Sequence, residues 1–185
     1  MPSLVVGRVI TPILHVSQIA AALGLAAPLS PDPAGVVQAT VPVLRSWLDH
    51  LQGLDWRMLT APTESRGRSL RNLTVNVFHP FELLPAAWQT LSFPWEPERD
   101  DEREALLTSV DAVVAYGARI VAGWADFVLA NAEELGRRDP VVVSPRGEAR
   151  FSAVLGSQLE HAVFHHDQLI AFLRARVAPR AAGQE

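Results

Sequence analysis

The chain has 185 residues, with 16 Lys+Arg against 20 Asp+Glu for a formal net charge of −4, and it is 49% hydrophobic and 19% charged. That is one domain's length with ample apolar material, which excludes bulk disorder and predicts a single domain over 1–185. The acidic balance excludes a basic nucleic-acid binder. Cysteine is absent and every basic residue is arginine, so disulfides, thiolate nucleophiles, thiolate metal sites and lysine Schiff bases are excluded as well.

From the N-terminus, the apolar stretch 1–25 carries one positive charge, Arg8, and is interrupted by His15, Ser17 and Gln18. That pattern argues against an export signal. Later apolar runs break before the roughly 20 residues a membrane crossing needs, so the expectation is a soluble, cytoplasmic protein with no membrane partner. Thr11 and Pro12 read as the cap and first residue of a short accessory helix over 11–24, with Ile13, Leu14, Val16, Ile19 and Leu23 on one side and Gly24 as its stop. Asp32 and Pro33 restart a helix that carries Val37, Val41, Leu44, Trp47, Leu48 and Leu51, with Pro42 as a kink.

A second long helix begins at Ser69 and runs toward Trp88. Pro80 removes the hydrogen bond to the Asn76 carbonyl, which predicts a bend or a relay into a second piece over 81–91. A loop over 92–101 caps a third long helix, about 101–135, which Gly136 closes. The run 141–143, a turn over 144–147 and the residues to Phe151 predict a small hairpin or crossover. Ser152 then caps a last helix to about Val177. The class is all-α, with a four-helix core over 33–177, an extra N-terminal helix and a short hairpin before the last helix.

The six histidines concentrate the chemistry. In the last helix His161 and His165 lie one turn apart, and Val154, Gln158, Gln168 and Phe172 fall within about 60° of His161 at about 100° per residue. Two inward imidazoles at i and i+4 can chelate one divalent ion, and a third ligand has to come from another helix. His79, on the second long helix beside Asn72 and Asn76, is the best candidate. His50 and His15 read as structural, and His166 as surface or partner-facing.

Taken together, one histidine in the second helix, a long third helix, a crossover with Pro145, Arg146 and Gly147, and a last helix reading His161-x-x-x-His165-x-x-Gln168-Leu169 resemble the DinB/YfiT-like superfamily. That superfamily includes the mycothiol-dependent maleylpyruvate isomerases and the bacillithiol S-transferases. The resemblance covers about 33–177 and implies an up-down-down-up four-helix bundle with a three-histidine zinc or nickel site, acting on small molecules activated by a low-molecular-weight thiol. The family's first histidine falls at Asn76 here, with His79 one turn later. Either His79 takes the ligand role from a shifted position, or Asn76 marks a site whose metal affinity is reduced or lost.

A site of this kind predicts a metal-dependent, thiol-using S-transferase or isomerase, whose thiol must be external because the chain has no cysteine. An arginine-only, alanine-rich composition resembles GC-rich bacterial coding and favours mycothiol. Arg71 and Arg146, with Arg150, are candidates to hold an anionic substrate. Trp88 and Phe172 are candidate pocket walls, and Glu82 or Glu160 candidate acceptors behind a ligand imidazole. No catalytic acid or base can be assigned from the sequence. The alternative is a non-catalytic or metal-free bundle that binds an apolar small molecule, or forms a homodimer through the N-terminal helix, or serves as a tailoring enzyme in a biosynthetic pathway.

Overall fold

The computed structural model describes residues 3–6, 9–12, 33–63 and 67–177. At the N-terminus, Ser3–Val6 (β1) and Val9–Pro12 (β2) pair antiparallel, with Ser3 opposite Pro12 and Val6 opposite Val9. This corrects the start of the expected accessory helix. Thr11 and Pro12 close a strand, as the β-branched run Val9, Ile10 and Thr11 favours. The rest of that helix, with His15, lies outside the described residues.

The chain is otherwise mostly helical. Pro33–Leu51 (α1) is followed by the short Trp56–Thr60 (α2), Leu70–Thr90 (α3), a 3₁₀ turn at Pro97–Arg99, the short Asp100–Glu104 (α4), Val110–Arg137 (α5), the strands Val141–Ser144 (β3) and Gly147–Arg150 (β4), and Phe151–Val177 (α6). Among the four long helices, α1 and α3 each pack against both α5 and α6. Their shared core is aromatic and aliphatic, with Trp47, Phe78, Phe81, Trp124 and Phe151 fully buried. Two indoles fasten α1 to its neighbours. Trp47 Nε1 donates to Thr74 Oγ1 on α3 at 3.2 Å, and Trp124 Nε1 on α5 donates to Thr40 Oγ1 at 2.7 Å.

Ser69 caps α3 by accepting from the Asn72 N–H at 2.9 Å. The helix then runs through Pro80 and Pro85 as one element, and not as a relay into a second piece over 81–91. Every residue from Asn72 to Phe81 is buried, so packing on several sides holds what the missing hydrogen bonds do not. The third long helix starts nine residues later than expected. Asp100–Glu104 forms its own short helix, and Ser109 caps α5 by accepting from Ala112 N at 3.1 Å. Gly136 does not close α5, which continues to Arg137, with Arg138 N donating to the Glu134 carbonyl at 2.8 Å. By length and composition α5 is apolar enough to cross a membrane, contrary to the sequence reading. In the fold its apolar side, with Val113, Ile120, Val121 and Trp124, faces the core.

The expected hairpin is present, with Val141 opposite Arg150 and Ser144 opposite Gly147. It also ties back to the end of α3. Val143 N donates to the Leu91 carbonyl at 2.9 Å and Phe93 N to the Val143 carbonyl at 2.7 Å. The cap of α6 is Asp139, whose two oxygens accept from Ser152 N at 2.8 Å and Ser152 Oγ at 2.7 Å. Ser152 is therefore the capped residue and not the cap.

Candidate functional site

One face of α3 presents Asn72, Asn76 and His79, at spacings of four and three residues that stack side chains on a helix. Against them α4 sets its carboxylates. Asp100, fully buried, accepts from Asn76 Nδ2 at 2.6 Å and from His79 Nδ1 at 2.9 Å. One turn earlier Asn72 Nδ2 donates to Asp101 Oδ1 at 2.7 Å and Glu104 Oε2 at 2.6 Å, while Ser69 Oγ and Arg71 Nε donate to Glu104 Oε1 at 2.7 Å and 2.8 Å. Burial alone would raise the Glu104 carboxyl, but the donors Ser69, Arg71 and Asn72 together outweigh it and hold it below the usual range. The acidic turn is thus folded inward onto α3 by a complete set of donors.

Asp100 fixes which way the Asn76 amide points. A carboxylate only accepts, so the Asn76 NH₂ faces Asp100 and its Oδ1 faces α6, 3.0 Å from His161 Nε2. Nε2 therefore carries the ring proton, and Nδ1 keeps a lone pair. That Nδ1 is shielded from solvent and has no hydrogen-bond partner. Burial, reinforced by the positive surroundings of His165, Arg68 and Arg146, pushes His161 down to about 3, so the ring is neutral near neutral pH. His165 is held similarly, with Nδ1 2.7 Å from Gln168 Oε1, which leaves its Nε2 as the unprotonated nitrogen. Burial lowers its proton affinity against the raising effect of the Gln168 bond, and Arg68 lowers it further. The two rings meet edge-on with centroids 4.5 Å apart.

Aromatic contacts extend the site toward the hairpin. Trp95 lies against His161 at 5.4 Å between centroids, and the Arg146 guanidinium sits 5.5 Å over the Trp95 ring. The tie between the hairpin and the end of α3 puts these residues side by side.

The structure brings together five of the residues singled out from sequence: Asn76, His161, His165, Gln168 and Arg146. His79 joins them through Asp100, and Asn76 is the α3 side chain that meets His161. Glu82 lies outside the cluster, paired with Arg103 at 2.7 Å and Arg119 at 2.9 Å. Arg71 is held by Glu104 and by the Leu107 carbonyl at 3.1 Å, which makes it a clamp between α3 and the turn after α4. Trp88 is buried against Phe151 at 5.0 Å, and Phe172 is half-buried beneath Arg176 at 4.7 Å. Arg150 donates to the Asp139 carbonyl at 2.8 Å, and Glu160 is exposed. His166 is half-buried, with Ser46 Oγ 2.9 Å from Nε2 and the His50 ring 5.5 Å away.

Sequence reasoning missed Asp100 and Arg68. Asp100 was assigned to a loop, and the clue was the acidic run 100–104 following Pro97, which is the composition of a helix N-terminus. Arg68 stands just before the α3 cap, and only the fold shows that its charge reaches both site histidines.

Among the described residues, no group of three or more His, Asp and Glu side chains is arranged to hold a metal ion. The donors gathered around His161 are two imidazoles and one carboxamide oxygen, and the third imidazole, His79, is turned to Asp100. That set does not fit the three-histidine ion that the family resemblance implies. No family model, no curated protein and no solved structure matches the chain.

Proposed function

We propose that this chain is a four-helix bundle of the DinB-like type, in which a hydrogen-bonded relay stands where the family would hold a metal, and that its histidine pocket binds a small organic molecule. On this reading it is a soluble cytoplasmic protein that engages neither nucleic acid nor membrane. The packing of α1 and α3 against both α5 and α6 supports the bundle, and the inward face of α5 supports its place in the core. The observation that carries the reading is the contact of Asn76 Oδ1 with His161 Nε2 at 3.0 Å, with the other end of the amide fixed by Asp100 at 2.6 Å.

The chemistry of the pocket favours binding over proton abstraction. An imidazole whose proton affinity sits near pH 3 is a poor general base at neutral pH. Its bare Nδ1 still accepts a hydrogen bond, and the relay His79–Asp100–Asn76 keeps that nitrogen unprotonated by holding the proton on Nε2.

A second reading, a zinc- or nickel-dependent transferase or isomerase working with an external thiol such as mycothiol, draws support from the edge-on contact of two neutral imidazoles. Metal analysis separates the two. Wild type, incubated with zinc or nickel and desalted, is expected to retain no stoichiometric ion, whereas Asn76→His, which supplies the missing imidazole, is expected to retain one. A wild-type protein that keeps one equivalent would overturn the metal-free reading.

A further inference from the structure

Three buried polar atoms near the hairpin side of the site have no hydrogen-bond partner: Trp95 Nε1, Gln158 Oε1 and His161 Nδ1. Native interiors leave few such atoms, and a cluster of them needs an explanation. They are neighbours in the fold, since the Trp95 ring packs on His161 at 5.4 Å and Gln158 lies three residues before His161 on the same face of α6. Trp95 and Gln158 are 7% and 4% exposed, so bulk water does not serve them. Arg146, over Trp95 at 5.5 Å, makes no ion pair among the described residues, and neither does Arg68.

We propose that this cluster is a subsite for a small carboxylate carrying a hydroxyl or N–H donor next to its carboxyl group. The inference rests on the small-molecule reading above and names the class of molecule. Each partnerless atom constrains the ligand. Trp95 Nε1–H is donor only and needs an acceptor, and the Arg146 guanidinium over its ring favours an anion as that acceptor. His161 Nδ1, with the ring proton held on Nε2 by Asn76, accepts only, and Gln158 Oε1 also accepts. A bare carboxylate serves the donors and leaves both acceptors unmet. An added O–H meets one of them, and an added NH₂ group, with two N–H donors, can meet both. Arg146 is exposed on the β3–β4 turn, so it can lift from Trp95 to admit the molecule and close over the carboxylate.

Lactate is the smallest probe with these groups, and propionate is its match without the hydroxyl. Full-length protein of measured metal content is titrated with each and read by NMR on the Trp95 indole N–H, assigned by comparison with Trp95→Phe. Lactate is expected to shift that resonance saturably and to bind about tenfold more tightly than propionate, the effect of one hydrogen bond. Arg146→Ala, an exposed change, is expected to weaken lactate by about tenfold or more. An unmoved indole resonance, equal binding of lactate and propionate, or unchanged binding by Arg146→Ala would each overturn the subsite. Metal content is read on the same sample, so a stoichiometric ion overturns the metal-free reading separately, whatever lactate does.

Discussion

Asn76 and His161, 85 positions apart in the chain, meet at 3.0 Å through Oδ1 and Nε2, and the same Asn76 amide donates to the fully buried Asp100 at 2.6 Å. One carboxamide therefore satisfies a buried carboxylate on one side and a half-buried imidazole N–H on the other. Asn76→Leu keeps the volume and removes both bonds. A buried group left without its partner costs about 1–3 kcal/mol, more when charged, so the variant is expected to lose about 3 kcal/mol or more in urea unfolding. Asn76→Asp places a second carboxylate against Asp100 and is expected to be worse still at neutral pH and to recover partly in acid.

The pH dependence of stability follows from the histidines on α6. His161 titrates at about 3 in the folded chain against about 6.5 unfolded, so between those values the unfolded state binds the extra proton. Stability is complete above about pH 6.5 and is lost as pH falls toward 3, by up to about 1.4 kcal/mol per pH unit for one proton. His165 and His166 are also lowered, chiefly by burial, and act in the same direction. His161→Gln is expected to flatten the acid limb of a stability profile from pH 7 to 4. A wild-type profile that rises toward pH 5 would contradict the burial of this ring.

Much of the helical framework was legible in the sequence because its signals are local. Ser69 with a following apolar period marks α3, and the valine run with a Pro-Arg-Gly turn marks the hairpin. The stacked pair His161 and His165 was legible for the same reason, since helix geometry alone puts residues four apart together. What was not legible depends on partners distant in the chain. That Asn76, not His79, reaches His161 is decided by Asp100, and Asp100 takes its place only because the run 100–104 folds as a separate turn against α3. That α3 continues as one helix through Pro80 and Pro85, with no relay, was left open too. Local rules count the lost hydrogen bonds, but the burial of Asn72 to Phe81 is a property of the assembled core.

Leu91 stands at the C-cap of α3 in the left-handed region, with φ 59° and ψ 24°. A branched side chain there costs about 1–2 kcal/mol relative to glycine. The backbone is held in place because the Leu91 carbonyl accepts from Val143 N at 2.9 Å, joining α3 to the hairpin that carries Arg146. The Leu91 side chain is 42% exposed, so its removal gives up little packing. Leu91→Gly is expected to stabilise the fold by about 0.5–1 kcal/mol, seen as a higher urea midpoint. Leu91→Val, β-branched at the same φ, is expected to destabilise it.

Thr40 gives a test of the packing between α1 and α5 that is independent of the site. Its hydroxyl donates to the Val37 carbonyl at 2.8 Å and accepts from Trp124 Nε1 at 2.7 Å, and both Thr40 and Trp124 are essentially buried. Thr40→Val matches the shape and leaves the indole N–H facing a methyl group. The expected loss is about 1–3 kcal/mol, the cost of one unsatisfied buried donor. Thr40→Ser keeps the hydroxyl and removes only a methyl, so its loss should stay near 1 kcal/mol. Trp124→Phe in the Thr40→Val background removes the stranded donor, and the double variant should be less destabilised than the sum of the two single changes. Strict additivity in that cycle would mean that the indole and the hydroxyl act separately, and that α1 and α5 are held by apolar packing alone.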